Sequence, residues 1–227
     1  MKHVVQFSGG KDSTAMLLMM LELDMPVDEI IFCDTGKEFP QMYEHISKVE
    51  KHIGRVVTVL RPEKSFDYYF SEHERTSGKY IGIPGYGWPN MKRRWCTKNL
   101  KTEPFRKYME GVEHKLYLGI AADEAQRVKE HVYPLVYWRI TEADALKYCY
   151  DHGFNWDGLY EDFRRVSCYC CPLQRIGDWR ILRKKYPELW NDAMRLDELS
   201  CCQLKENYSL HDLDRRFALE DLQQSLF

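Results

Sequence analysis

Short apolar runs alternate with longer helical ones through the first third of the chain. His3-Val4-Val5-Gln6-Phe7 is brief and β-prone, whereas Thr14 to Leu23 holds no Gly or Pro and is rich in Ala, Leu and Met. Glu29 to Cys33 and Arg55 to Leu60 repeat the strand pattern on either side of a helical Phe39 to His52. This alternation predicts a mostly parallel, doubly wound α/β sheet. From Ser65 to Trp95 the pattern breaks at Gly78, Gly82, Pro84, Gly85, Gly87 and Pro89, which predicts a long functional loop or lid. Regularity then returns: Lys98 to Met109 reads as helix around Pro104, and Lys115 to Gly119 as a buried strand. Thr141-Glu142-Ala143-Asp144 reads as a capping box opening a helix that ends at Gly153.

After Cys171 the sequence becomes Arg- and Lys-rich and helical over Gln174 to Lys185, Pro187 to Leu199 and Leu210 to Leu222. No repeat or linker intervenes. The expected organisation is one α/β domain over residues 1–172, with a helical C-terminal extension over 173–227 packed on it.

Composition narrows the class. At 227 residues and 44% hydrophobic content, the chain can build a real core. Its longest apolar stretch, Ala15 to Leu21, is too short for a bilayer, and no basic-then-apolar leader precedes the first strand. The expectation is a cytoplasmic protein without a membrane partner. A formal charge of −2 does not mark a general nucleic-acid binder. Lys92-Arg93-Arg94 with Lys98 and Lys101 reads as a solvated face or a local anion site. Eight cysteines without a leader argue for metal or redox chemistry over a disulfide framework. Cys33 and Cys149 read as buried structural residues, and the adjacent Cys201 and Cys202, after a helical pattern, as packing residues.

The chemistry concentrates in Ser8-Gly9-Gly10-Lys11-Asp12-Ser13, between the first strand and the first helix. Paired glycines allow close backbone approach, a helix start offers N–H groups and a positive dipole end, and Lys11 adds a charge. This is a phosphate cradle, but not a Walker A loop, whose glycine and lysine spacing differs. In an open α/β sheet, ligands lie at the carboxyl ends of strands. Two further strand ends are loaded: Asp34-Thr35-Gly36-Lys37-Glu38-Phe39-Pro40, and Gly119-Ile120-Ala121-Ala122-Asp123-Glu124-Ala125-Gln126-Arg127.

The first loop resembles that of the PP-loop superfamily of adenine nucleotide α-hydrolases, and the later segments resemble the phosphoadenosine phosphosulfate reductase family within it. Tyr133-Pro134-Leu135, Trp138, Leu159-Tyr160 and Arg164-Arg165-Val166-Ser167-Cys168 continue the likeness, which covers roughly residues 3–175. The resemblance implies ATP or a related adenine nucleotide held by Ser8, Gly9, Gly10, Lys11, Asp12, Ser13, Asp34, Thr35, Gly36, Gly119, Asp123, Glu124 and Arg127. Lys11, Asp12, Asp34 and Arg127 would serve the chemistry, with Mg2+ aided by Asp34 or Asp123. The implied activity is adenylation of an acceptor, a nucleic acid being one candidate, coupled to sulfur transfer from a sulfur donor through an iron-sulfur site. Sulfonucleotide reduction with a thiol reductant is the alternative, and a nucleotide-sensing module a third reading.

Cluster-bearing relatives carry four cysteines, of which this chain keeps three by position, Cys96, Cys168 and Cys171, with Thr97 in the fourth place. The likeness implies a [4Fe-4S] cluster on those three, or zinc with Cys170, Cys201 or Cys202 closing the shell. The C-terminal Glu-Cys-Gly-x-His segment of the reductases has no counterpart after Cys171.

Overall fold

A computed structural model describes residues 1–76 and 80–224. Strands β1 (Lys2–Gln6), β2 (Glu29–Cys33), β3 (Thr58–Leu60) and β4 (His114–Leu118) form one parallel sheet in the order β3-β2-β1-β4. Val4, Val5, Ile30, Ile31 and Phe32 are buried, as expected of parallel strands covered on both faces. The second and third strands lie to one side of β1 and β4 to the other, which puts the topological switch point between β1 and β4.

In chain order the helices are α1 (Lys11–Glu22), α2 (Pro40–Ile53), α3 (Trp95–Thr97), α4 (Glu103–Tyr108), α5 (Pro134–Tyr137), α6 (Glu142–Asp151), α7 (Leu159–Asp162), α8 (Ile176–Lys185), α9 (Pro187–Leu199) and α10 (Leu210–Gln224). Helix α1 begins three residues before the apolar run because Gly10, in extended conformation, is its N-cap. Along α2, Met42, His45, Ile46 and Val49 are buried at i, i+3, i+4 and i+7, one apolar stripe between a Pro40 start and a left-handed Gly54 stop. The third strand is shorter than the Arg55 to Leu60 run. Arg55 and Val57 donate instead to the carbonyl and carboxylate of Glu50, which holds the chain on the helix end. Thr141 caps α6 as the sequence suggests, with Asp144 reciprocating.

Contacts divide the chain into two compact units. The first comprises residues 1–34, 38–62 and 101–167 and holds the whole sheet; the second comprises 35–37, 63–100 and 168–227. The second unit therefore joins α8, α9 and α10 to residues 63–100, a segment expected as a lid. Among its described residues that segment is not a bare loop. Tyr68–Glu72 form a π-helical turn, and the rings of Phe66, Phe70, Trp88 and Trp95 pack into a buried aromatic core. Gly78 lies outside the described residues. Trp88 Nε1 donates to Asp197 at 2.7 Å and Arg195 pairs with Asp67 at 3.1 Å, so α9 and the aromatic segment share one core. No helix among the described residues is long and apolar enough to cross a membrane.

Candidate functional site

Leaving β1, the chain turns through Phe7 to Gly10 and enters α1. Gly9 takes φ +75°, which favours glycine, and a Cβ there would stand 3.0 Å from Met42 Cε. Its carbonyl accepts from Trp156 Nε1 at 2.8 Å. Ser13 Oγ accepts from the Ser8 amide at 3.1 Å and donates to Gly10 O at 3.0 Å, so the two serines close the loop on itself. No side chain caps α1 at Gly10, and the Lys11 amide donates to the Tyr160 hydroxyl at 2.8 Å. The loop thus presents a helix start, with its dipole, at the carboxyl end of β1.

Lys11 is 7% exposed and lies 3.2 Å from Asp12 and 3.0 Å from Glu142. Burial pushes the Asp12 carboxyl up to about 6, with Lys11 opposing the shift and Glu142 and Glu124 reinforcing it. The Cys149 thiol, which donates to Lys11 O at 3.4 Å, is pushed up to about 12, chiefly by burial. It is an inert packing thiol, as is the buried Cys33.

Across the switch point, Gly119 packs on the start of α1: a Cβ there would fall 2.7 Å from Ser13 Cα. Asp123 accepts the Glu142 amide at 3.0 Å, and Glu142 in turn holds Lys11. Glu124 pairs with Arg127. The loops after β1 and β4 are therefore joined through Glu142 into one polar network. Asp34, buried at the end of β2, is engaged by Tyr43 at 2.8 Å and Arg61 at 3.2 Å. Glu142, Tyr160 and Trp156 are the site residues that sequence reasoning did not assign. Glu142 stood in the capping box and Tyr160 in the family likeness, but neither pattern signals contact with Lys11.

Thr35 and Gly36 belong to the second unit. Gly36 takes φ +73°, and Thr35 Oγ1 lies 3.3 Å from Cys168 Sγ. Beside them Lys37, 6% exposed, pairs with Asp192 at 2.9 Å and Asp67 at 3.2 Å. Burial works to raise the Asp192 carboxyl, but donors Tyr169, Lys37 and Arg195 outweigh it and hold the group down at about 2.

The likeness implies a metal site on Cys96, Cys168 and Cys171. No cysteine is in a disulfide, and among the described residues no group of three or more His, Cys, Asp or Glu gathers in a way that could hold a metal ion. Cys96, Cys168 and Cys171 are half-buried, and the Cys171 amide closes a turn on Cys168 O at 3.0 Å. Cys170 between them is buried, its thiol pushed well up by burial and by the neighbouring Cys168. A carboxylate pair suffices for Mg2+ when phosphate oxygens complete the shell, so that ion makes a smaller demand. Cys201 corrects the packing expectation: it is exposed, because α9 stops at Leu199 and Ser200 is extended.

A parallel sheet flanked by helices, with a glycine-lysine loop at its switch point, defines an open α/β domain. The sequence profile of the phosphoadenosine phosphosulfate reductase domain matches residues 2–174, and the chain belongs to that family, within the PP-loop superfamily. It is 27% identical over 205 residues to an uncharacterized protein of Methanocaldococcus jannaschii, covering 82% of this chain and 39% of that one. It is 26% identical over 200 residues to adenosine 5'-phosphosulfate reductase 2 of Bacillus subtilis, covering 78% of each. The chain spans less than half the length of two curated archaeal relatives that it matches. A phosphate complex of phosphoadenylyl-sulfate reductase from Candida auris shares the fold, with a TM-score of 0.51, 18% identity, and coverage of 73% of this chain and 80% of that one.

Proposed function

We propose that the protein is an adenine-nucleotide enzyme that uses ATP to adenylate an acceptor oxygen, preparing that position for substitution by sulfur. The observation that carries the reading is the Ser8 to Ser13 loop at the switch point, with its Lys11 buried. In the first step the acceptor oxygen attacks the α-phosphorus, forming an O–P bond as the bond to pyrophosphate breaks. Lys11 and the first amides of α1 would neutralise charge growing on the leaving pyrophosphate. A sulfur nucleophile then takes the carbon, and AMP leaves with the acceptor oxygen. Mg2+, when bound with the nucleotide, would supply further charge neutralisation, with Asp123 or Asp34 as its carboxylate support. Arg127 and Glu124 would border the site, and the cytoplasm is the compartment in which ATP and a reduced sulfur donor meet.

Sulfonucleotide reduction is the second reading, favoured by the likeness to the Bacillus subtilis protein across most of both chains. One assay separates the two. Purified protein with ATP and a panel of acceptors should release AMP and pyrophosphate, and protein with sulfonucleotide and a thiol reductant should give little sulfite. Substantial sulfite without pyrophosphate release overturns the first reading in favour of the second.

A further inference from the structure

The second unit carries a thiol pair outside the nucleotide network. Cys201 and Cys202 follow α9 in a bend tied by Ser200, whose Oγ donates to Cys202 O at 2.6 Å. Arg75 Nη2 donates to Cys201 Sγ at 3.1 Å, and Arg93 Nη2 to Cys202 Sγ at 3.3 Å. Each thiol therefore faces its own guanidinium. Arg75 is set in place by the rings of Tyr80 and Tyr86, at 5.1 and 5.5 Å, and by Gly85 O; Arg93 is set by Trp88 O at 3.2 Å. Among the described residues neither arginine pairs with a carboxylate, and the Nε atom of each is buried without a partner. A cavity of about 260 Å³ opens on the pair, its wall including Arg75, Tyr80, Lys92 and Arg93 and, among the described residues, no acidic side chain.

Opposite the cations stands backbone. Gly87, at φ +61°, runs so close beneath the thiols that a Cβ would meet Cys202 Sγ at 2.8 Å and Cys201 Sγ at 3.0 Å. Gly85 O and Trp88 O lie 3.8 Å from the two sulfurs, longer and uncharged contacts than those from the arginines. Thiol–disulfide exchange proceeds through a sulfur anion, and cations beside a partly exposed sulfur are the surroundings that make it reactive. The same cations attract carboxylates.

We propose that Cys201 and Cys202, with Arg75, Arg93 and Lys92, form a thiol-exchange site for an anionic low-molecular-weight disulfide. Cys201, the exposed member, is the attacking sulfur. Its thiolate attacks one sulfur of the disulfide RSSR; the S–S bond of RSSR breaks as the Cys201–S–S–R bond forms, and the released thiolate takes a proton from water. The disulfide is the oxidant and Cys201 is oxidised. Arg75 and Lys92 hold the carboxylates of the entering molecule.

The test uses the full chain, reduced and desalted, with glutathione disulfide as the anionic probe and cystamine as a cationic one of similar reactivity. Adducts are mapped by peptide mass spectrometry over time. Cys201 should be the first cysteine modified, at least about tenfold faster by glutathione disulfide than by cystamine. Arg75→Gln should slow the anionic reaction about tenfold, and Arg75→Lys should restore much of it. Should Arg75→Gln fail to fold, Lys92→Gln, on the outer wall, should still lower the preference for the anionic probe. Adducts spread evenly over Cys201 and the half-buried cysteines, equal rates with the two probes, or unchanged rates in folded Arg75→Gln or Lys92→Gln would overturn the proposal. None of these readouts involves nucleotide or turnover, so they stand or fall apart from the adenylation reading.

Discussion

At the scale of single residues, Lys11 is held by two carboxylates, and a bound phosphate competes with them for its charge. Lys11→Ala should weaken ATP binding by about 1.5–3 kcal/mol, the range for a charged hydrogen bond. Calorimetry showing equal affinity for wild type and variant would remove the loop from the phosphate assignment. Asp12 makes that affinity depend on pH. Its carboxyl titrates near 6 when folded, so from pH 7 to 5 it loses its charge, ceases to hold Lys11 and ceases to repel the anion. ATP affinity should therefore rise as pH falls through about 6, relative to an Asp12→Asn variant that shows no such step. The same shift acts on folding. A carboxyl raised from about 4 to about 6 favours the folded state when protonated, a contribution lost as pH rises through 6. Asp192 has the opposite sign: held near 2, it stabilises above about pH 4, and that contribution disappears as pH falls towards 2.

At the scale of elements, the ends of α1 and α6 set the site. Gly9→Ala meets both the positive φ and Met42, and should cost about 1–3 kcal/mol in urea unfolding. A loss below a few tenths would show that the loop relaxes freely. Thr141→Ala removes the cap of the helix whose first residue is Glu142, and should cost about 1 kcal/mol. The cap and the Ser8 to Ser13 loop were both legible in sequence because each is local: spacing of three or four residues states the hydrogen bonds directly. The contacts of Lys11 with Glu142 and Tyr160 span 131 and 149 residues and depend on where α6 and α7 dock, which no local pattern records. The packing of the aromatic segment was not legible, for a related reason. Its glycines and prolines mark turns, whereas Phe66, Phe70, Trp88 and Trp95 are buried by packing on one another across those turns, with Trp88 also held by distant Asp197.

At the scale of the whole molecule, the parallel sheet and the order of its strands follow from the alternating periods, and the switch point follows from that order. The partition does not, because three separate stretches of sequence make the second unit. A chain truncated after Pro172 should therefore lose more than the helices it lacks: Trp88 and Asp67 forfeit Asp197 and Arg195. Near-ultraviolet dichroism of the aromatic segment should collapse in that truncation. A native-like spectrum would show that residues 63–100 hold their shape alone. The interleaving also has a consequence in time. Trp88 emerges during synthesis about a hundred residues before Asp197, and at about 5–20 residues per second the ribosome leaves its indole waiting for roughly 5–20 s. For that interval the aromatic segment is a client for whatever shields nascent apolar chain, so translation speed across residues 100–200 should govern how much protein reaches the folded state.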